Sequence, residues 1–313
     1  MKIVKLLGSI ALGAALSVAP AQSETRVTYK SAKSTSSYFQ MAVQLAEAMK
    51  SASNGEIILT VEESQGSVQN VLEAPRRTGN FVFTTPPVLV RLAGEGKAMF
   101  EGKENPGFKD IRALFPIPSL TMHFVVRADS GLTNIDQLAG KSILLGKGSF
   151  GAREGAKYLG LFGMEDSVMQ VDSELSNAVP AMKNEQIDGF VTAGSYPAPN
   201  VIEAAASMEL TVLSLTEDQI AETKRTRLEI PAGTYKGQDQ PIVTTSLPVV
   251  AYTTTAMDDE TAYQLTRTYW RNKKTMAKDA AWWDGVDESF LANIDGEIHP
   301  GALRYYKSVG WIK

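Results

Sequence analysis

HPGALRYY, at residues 299–306, is the stretch that decides the fold of this chain, together with IPAGTYKGQ at residues 230–238. Neither motif holds a catalytic constellation of nucleophile, base and orienting group. Taken alone, each could be only a Pro-Gly turn that enters a helix. The two motifs in this order indicate that the most specific features of the sequence are architectural.

Strand-like and helix-like segments alternate from Arg26 onward, a pattern typical of α/β units built on largely parallel sheets. One βα series precedes two apolar strands at residues 111–116 and 122–127, and a second series begins with a strand at residues 142–145. A β-rich run at residues 247–254 and a helix at residues 258–278 return the chain to the first series. The pattern predicts an α/β clamp of two lobes joined by hinge strands, and a single continuous doubly wound sheet is the alternative.

The two β-rich crossovers set the predicted domain boundaries. Lobe I comprises residues 24–122 and 253–313, and lobe II comprises residues 128–249. The hinge is expected near residues 123–127 and 250–252.

The N-terminus resembles a cleavable export signal. Lys2 and Lys5 precede an apolar run at residues 6–18, and Ala19-Pro20-Ala21 offers small residues to a signal peptidase. This predicts a signal peptide at residues 1–21, with Ser23 as the alternative cleavage point. The run is shorter than the ~20 residues that span a bilayer.

Composition narrows the location and the partners. The chain has no cysteine, so it has no residue to acylate as a lipoprotein, and we expect a soluble monomer in the periplasm. Removing the two signal-peptide lysines takes the formal charge from −4 to −6. This mild acidity argues against nucleic acid or an anionic membrane as the main partner.

Several predicted strands end in Ser, Thr or Gly turns that open a helix. In open α/β sheets, ligands bind beyond the carboxyl ends of the strands. There, free N–H groups at helix N-termini and small hydroxyls form an anion site without formal positive charge. Each charge-assisted hydrogen bond contributes ~1.5–3 kcal/mol, so three or four can hold a carboxylate at micromolar affinity. Ordinary N-capping is the alternative for any single turn, but the set predicts one cleft for a small carboxylate.

The candidate ligand-binding residues come from these turns and from the helices that follow them. Arg153 could supply a guanidinium to the carboxylate, although an arginine in a first helical turn usually lies on a solvated face. Tyr38 and Tyr196 could stack on the ligand, donate a hydrogen bond to it, or simply pack beside the cleft. The full set is Ser36, Ser37, Tyr38, Gln65, Ser67, Thr84, Thr85, Ser149, Phe150, Arg153 and Tyr196.

Over essentially its whole mature length, the chain resembles the TAXI branch of TRAP-transporter solute receptors. Besides the two motifs above, QGSVQN at residues 65–70 is similar to the G-G-S-V-E-N turn of that family, and residues 187–197 resemble its G-x-I-D-A stretch and following G-x-P. The resemblance implies a class II periplasmic-binding-protein clamp that closes on glutamate, 2-oxoglutarate or a related acid. It also implies delivery to an ion-coupled TRAP permease, with no cofactor.

The chain departs from this family at its ligand-binding turns. Residues 148–151 read GSFG where the family usually has G-S-G-T, so a phenyl ring stands in place of a glycine and the threonine hydroxyl is lost. The usual glycine near residues 34–37 is missing as well. These departures leave the identity of the ligand open.

An enzyme and a ligand sensor are the competing function classes. The two histidines, His123 and His299, leave little room for a triad and are too far apart in sequence to indicate a metal pair. GSFG lacks the G-x-S-x-G spacing of a nucleophile elbow, and no zinc, Walker or dinucleotide motif is present. We therefore expect no enzyme and no metal, whereas a sensor that uses the same clamp stays open.

Overall fold

The computed structural model describes residues 24–313, so the predicted signal peptide lies outside the described residues. The strands are β1 (Thr25–Lys30), β2 (Ile57–Glu62), β3 (Phe81–Thr85), β4 (Ile111–Arg127), β5 (Ser142–Leu144), β6 (Met169–Val171), β7 (Gly189–Gly194), β8 (Leu210–Val212), β9 (Thr226–Ile230) and β10 (Ile242–Thr254). The α-helices are α1 (Ser37–Ala52), α2 (Ser67–Glu73), α3 (Pro87–Glu95), α4 (Phe150–Leu161), α5 (Ala178–Lys183), α6 (Pro199–Ser207), α7 (Glu217–Thr223), α8 (Asp259–Asp279) and α9 (Pro300–Ser308). Within this range, no helix is both long and apolar enough to cross a membrane.

The ten strands of residues 24–313 form one hydrogen-bonded sheet in the order β2-β1-β3-β10-β4-β7-β5-β6, with β8 beside β4 and β9 beside β10, so the two predicted series share a continuous sheet. β1 to β3 form a parallel series, and β5 to β7 form a second parallel series. The antiparallel pair β4 and β10 lies between the two series and contributes to both. The chain therefore has two α/β halves joined by a pair of crossing strands.

β4 is one strand of 17 residues, so the prediction of two separate strands in this region is wrong. Its backbone continues through Pro116 and Pro118, which cannot donate to a ladder and usually end a central strand. The pairing with β10 accommodates them because its register shifts between Leu247 and Val249, opposite Leu120 and Ile117. A second register shift lies between Ala251 and Tyr252.

The C-terminal motif HPGALRYY attaches α9 to the first half of the molecule. The His299 ring accepts a hydrogen bond from Gly301 N at Nδ1 (3.2 Å), and its Nε2 lies 3.1 Å from the Met257 carbonyl oxygen. A Cβ at Gly301 would lie 2.1 Å from the carbonyl oxygen of Asp259, so only glycine lets α9 pack this closely on α8. The Tyr306 hydroxyl donates to the Leu114 carbonyl of β4 at 2.6 Å.

Candidate functional site

A cavity lies where the crossing strands meet the first turns of helices from both halves. Leu120 of β4 and Val249 of β10 line it, together with the N-terminal turns of α1, α2, α4 and α6. Its volume open to the centres of water molecules is about 80 Å³. One water needs roughly 10–15 Å³ by this measure, so the cavity accommodates a small solute.

The first half contributes the N-terminus of α1. Ser36 is the N-cap, and its Oγ accepts a hydrogen bond from Phe39 N at 3.2 Å. The backbone N–H groups of Ser37 and Tyr38 occupy helical positions that have no intrahelical acceptor. Ser37 Oγ also accepts from Ser195 N of the other half at 3.0 Å, so this turn connects the two halves directly.

The QGSVQN turn brings a second group of residues to the cavity. Gly66 adopts φ 116°, a conformation that favours glycine, and directly precedes α2. The buried Asn70 amide donates to the carbonyl oxygens of Ser31 (2.7 Å) and Thr84 (2.9 Å), so it fixes the ends of β1 and β3 beside α2. Gln65, Gly66, Ser67 and Thr84 line the cavity as a result.

The second half contributes the N-terminus of α4. Ser149 is its N-cap, and its Oγ accepts from Ala152 N at 2.9 Å. A Cβ at Gly151 would lie 2.9 Å from Ala193 Cβ, so glycine allows α4 to pack closely on β7. Phe150, the first residue of α4, is buried and lines the cavity.

The second half also contributes the N-terminus of α6. The sequence reasoning included the turn before this helix, through Tyr196, but not Ala198, Pro199 or Asn200, which line the cavity. Asn200 lines the cavity and is 9% exposed. Its Oδ1 accepts a hydrogen bond from Val201 N at 3.1 Å, whereas its Nδ2 is buried without a hydrogen-bond partner within residues 24–313. Pro197 and Pro199 mark this helix start in the sequence, but they do not indicate which side chains of its first turn face the cavity.

The IPAGTYKGQ motif holds this end of α6 in place. Ala198 N donates to the Tyr235 hydroxyl at 2.9 Å, and that hydroxyl lies 2.8 Å from His123 Nε2. His123 Nδ1 lies 3.1 Å from the Thr121 carbonyl oxygen, which only accepts, so Nδ1 carries the hydrogen and Nε2 accepts from Tyr235. Burial lowers the pKa of His123 to about 4, and the ring is therefore neutral near pH 7.

Two lysines line the cavity, Lys33 and Lys147. Lys33 forms an ion pair with Glu174 across the two halves, and Lys147 lies 3.7 Å from Asp172. Among the described residues, no aspartate or glutamate lines the cavity. The two ammonium groups and the positive ends of the helix dipoles of α1, α4 and α6 all favour an anion there.

The structure brings most of the sequence-predicted site residues together and places the rest elsewhere. Thr85 is buried beneath the end of β3, and Arg153 is exposed on α4. Tyr196 lines a second cavity beside the crossing strands. The predicted residues that line the cavity between the helix N-termini are Ser36, Ser37, Tyr38, Gln65, Ser67, Thr84, Ser149 and Phe150.

The described residues offer no group of three or more His, Asp or Glu side chains that could hold a metal ion. The polar groups at the cavity are backbone amides, hydroxyls, side-chain amides and the ammonium groups of Lys33 and Lys147. This set of groups is suited to holding a solute by hydrogen bonds.

The fold is similar to that of three solved structures, two of which are described as periplasmic. Periplasmic binding protein BugD is 11% identical, with 92% of this chain and 98% of that chain covered and a TM-score of 0.56. A structure described as a periplasmic transporter is 14% identical, with 93% of this chain and 94% of that chain covered and a TM-score of 0.53. A protein of Bordetella bronchiseptica RB50 is 12% identical, with 91% and 98% covered and a TM-score of 0.52.

At these identities the similarity shows the fold, which is the two-lobed α/β clamp of periplasmic binding proteins, as the sequence predicted. A family model adds a match that extends over both halves, from residue 30 to residue 310. The chain belongs to the NMT1-like family.

Proposed function

We propose that this protein is a periplasmic solute receptor that captures a small carboxylate between its two lobes. The observation that carries the proposal is the convergence of three helix N-termini, of α1, α4 and α6, on one small cavity without carboxylates. Unpaired N–H groups and the helix dipole stabilise an anion at such positions. The periplasmic proteins that share the fold support the same class of function and the same compartment.

The proposed ligand is an organic acid or an acidic amino acid of the size of glutamate or 2-oxoglutarate. Its carboxylate accepts hydrogen bonds from the α1 turn of lobe I and the α4 turn of lobe II. Because only the closed form completes both sets of bonds, the ligand favours closure of the clamp. Ser37 and Ser149 are the residues that we assign to the two sides.

We propose the lobe boundaries expected from the sequence, with lobe I formed by residues 24–122 and 253–313 and lobe II by residues 128–249. We propose the hinge near residues 123–127 and 250–252, between these bounds, and the β4–β10 register shifts between Ala251 and Tyr252.

The proposed partner is an ion-coupled TRAP permease, to which a TAXI-type receptor would deliver the acid. Uptake of a radiolabelled acid by vesicles that contain the candidate permease tests this assignment. Uptake that depends on added receptor supports it, and equal uptake without the receptor argues against it.

Calorimetry and thermal shift against a panel of small organic acids, amino acids, sugars and metal ions test the ligand class. Binding raises the apparent stability as RT ln(1 + [L]/Kd), so a true ligand shifts the melting temperature in a concentration-dependent way. A shift with sugars or metal ions and none with any organic acid would refute the proposal.

Ser149→Ala tests the second-lobe side of the site. The change removes one hydroxyl that we place at the carboxylate, and the Kd of the acid should rise about tenfold or more. It also removes an N-cap, which costs ~1 kcal/mol of stability. Thr216→Ala is the matched control, because Thr216 caps α7 in the same lobe and does not line the cavity.

The two variants separate capping from binding. Both should lower the free energy of unfolding by similar amounts, whereas only Ser149→Ala should weaken binding of the acid. An unchanged Kd for Ser149→Ala would show that the α4 turn does not hold the carboxylate.

A further inference from the structure

A second cavity lies on the opposite face of the crossing strands from the cavity between the helix N-termini. Leu120 of β4 lines the first cavity, whereas its neighbours Ser119 and Thr121 line the second. On β10, Val249 lines the first cavity and Pro248 lines the second. Successive side chains of a strand point to opposite faces, so the strand pair separates the two cavities. The volume open to the centres of water molecules is about 440 Å³ in the second cavity, against about 80 Å³ in the first.

Both halves of the molecule form the walls of the second cavity. Trp282 and Phe290 line it from the segment between α8 and α9, and Tyr196 and Leu228 line it from the other half. Trp282 Nε1 donates to Gln44 Oε1 at 3.2 Å, so the one polar atom of this indole is occupied and the ring is held in place. Small-molecule pockets of roughly 300–1,000 Å³ often lie between domains. The second cavity has the size and the location of such a pocket.

The lining of the second cavity carries no charge. Within residues 24–313, no Asp, Glu, Lys, Arg or His side chain lines it. A charged ligand would lose hydration there without gaining a counter-charge. The apolar lining consists of four prolines, Leu228 and the rings of Trp282, Phe290 and Tyr196. Aromatic and proline surfaces of this kind pack well against a flat, neutral ring.

A sugar would use this lining less well than an aromatic ring. Each sugar hydroxyl that leaves water needs a hydrogen-bond partner in the protein. The Ser195 hydroxyl already donates to the Ser119 carbonyl oxygen at 2.9 Å, and the Thr234 hydroxyl donates to the Pro231 carbonyl oxygen at 2.7 Å. Asn293 provides the one side-chain amide that lines the cavity within the described part of the chain.

We infer that the second cavity is a binding site for a neutral aromatic small molecule, separate from the site that we propose for the acid. Its ligand contacts both halves at once, because each half contributes part of the apolar wall. The inference depends on the second cavity alone and goes beyond the proposed capture of an acid.

Isothermal titration calorimetry with tryptophol and tryptamine tests the class of ligand. The two compounds share an indole ring and an ethyl chain, and they differ by a neutral hydroxyl in one and an ammonium group in the other at pH 7. Tryptophol should bind at one site with a Kd in the millimolar range or tighter. Tryptamine should bind at least tenfold more weakly, and glucose should give no heat of binding.

One variant from each half tests the location of the site. Leu228→Ala and Phe290→Ala each remove apolar area from the wall, so each should raise the Kd of tryptophol about tenfold. Leu210→Ala is the control for Leu228→Ala, because both leucines pack against the same hydrophobic cluster and Leu210 lines neither cavity. Leu291→Ala is the control for Phe290→Ala, since Leu291 is its partly buried neighbour and does not line the second cavity. Both controls should keep the Kd of the parent.

The remaining outcomes would overturn the inference in different ways. No heat of binding with millimolar tryptophol, or a Kd that neither wall variant raises above its control, would show that the cavity is not a site. A loss in only one wall variant would show that the ligand does not contact both halves. Tryptamine or glucose that binds as tightly as tryptophol would overturn the ligand class.

Thermal melts show whether each variant is folded. If one wall variant does not fold, the other and its control still decide whether the site exists. The three probes carry no carboxylate, so failure of this inference leaves the proposed capture of an acid unaffected.

Discussion

Replacing Tyr235 by phenylalanine removes one oxygen atom that connects the IPAGTYKGQ motif to the cavity. That hydroxyl accepts from Ala198 N at 2.9 Å and lies 2.8 Å from His123 Nε2. Both partners are fully buried, with exposures of 1% and 0%. Each buried group left unpaired costs ~1–3 kcal/mol, so the variant should lose about 2–6 kcal/mol of unfolding free energy.

The same substitution should weaken ligand binding. Ala198 is the N-cap of α6, and Ala198, Pro199 and Asn200 all line the cavity. Without the Tyr235 hydroxyl, Ala198 N loses its hydrogen-bond acceptor. The N–H groups in the first turn of α6 are then no longer held in position for the ligand. We expect the Kd of the bound acid to rise severalfold although Tyr235 itself does not line the cavity.

Urea unfolding followed by calorimetry measures both effects. Tyr263→Phe is the control, because the Tyr263 hydroxyl has no side-chain hydrogen bond within residues 24–313 and the ring is only partly buried. The control should change the unfolding free energy by less than about 0.5 kcal/mol. If Tyr235→Phe is no less stable than Tyr263→Phe, the buried network does not stabilise the second lobe as described.

Three further predictions follow from buried contacts. Burial lowers the pKa of His123 from about 6.5 in the unfolded chain to about 4. The unfolded state therefore binds more protons, and the free energy of unfolding falls as the pH drops through that window, by about 3 kcal/mol in total. A His123 imidazole that titrates near pH 6.5 in NMR spectra would contradict this. A Cβ at Gly194 would lie 2.7 Å from Ser37 Oγ across the lobes, so Gly194→Ala should raise the Kd about tenfold by opposing closure, and unaltered calorimetry would refute it. Gly301→Ala should cost about 3 kcal/mol or more in urea unfolding, because its Cβ would meet a backbone carbonyl at 2.1 Å. Gly285→Ala, whose Cβ meets nothing within 4 Å, is the control for both glycines and should leave binding and stability near those of the parent.

The sequence predicted most elements of the fold because their signals are local. Caps and apolar periods locate α1, α4 and α8 to within a few residues. β4 was predicted as two strands because Pro116 and Pro118 are local strand breakers, and only the irregular pairing with β10 explains how the strand continues. α7 and β9 were missed because short elements give little periodicity.

The site shows the same division between local and global information. Ser36 and Ser149 could be predicted, since a hydroxyl before a helix is a signal within four residues. Whether a neighbouring side chain faces the cavity depends on the direction in which the helix or strand approaches it. Thr85, Arg153 and Tyr196 follow or adjoin such turns, yet the structure does not place them at the cavity between the helix N-termini.

The position of Asn200 at the cavity is a feature that no local sequence pattern indicates. In sequence it is one asparagine after a proline at a helix start, where a capping role is the ordinary expectation. Its place at the cavity depends on the rest of the fold, because α6 is held by Tyr235 from a motif 35 residues further along the chain. The architectural motif and the proposed site are thus connected through a single backbone N–H group, that of Ala198. Loss of affinity on Tyr235→Phe, with the fold retained, would show that the motif positions the first turn of α6 at the ligand, and an unchanged Kd would show that it does not.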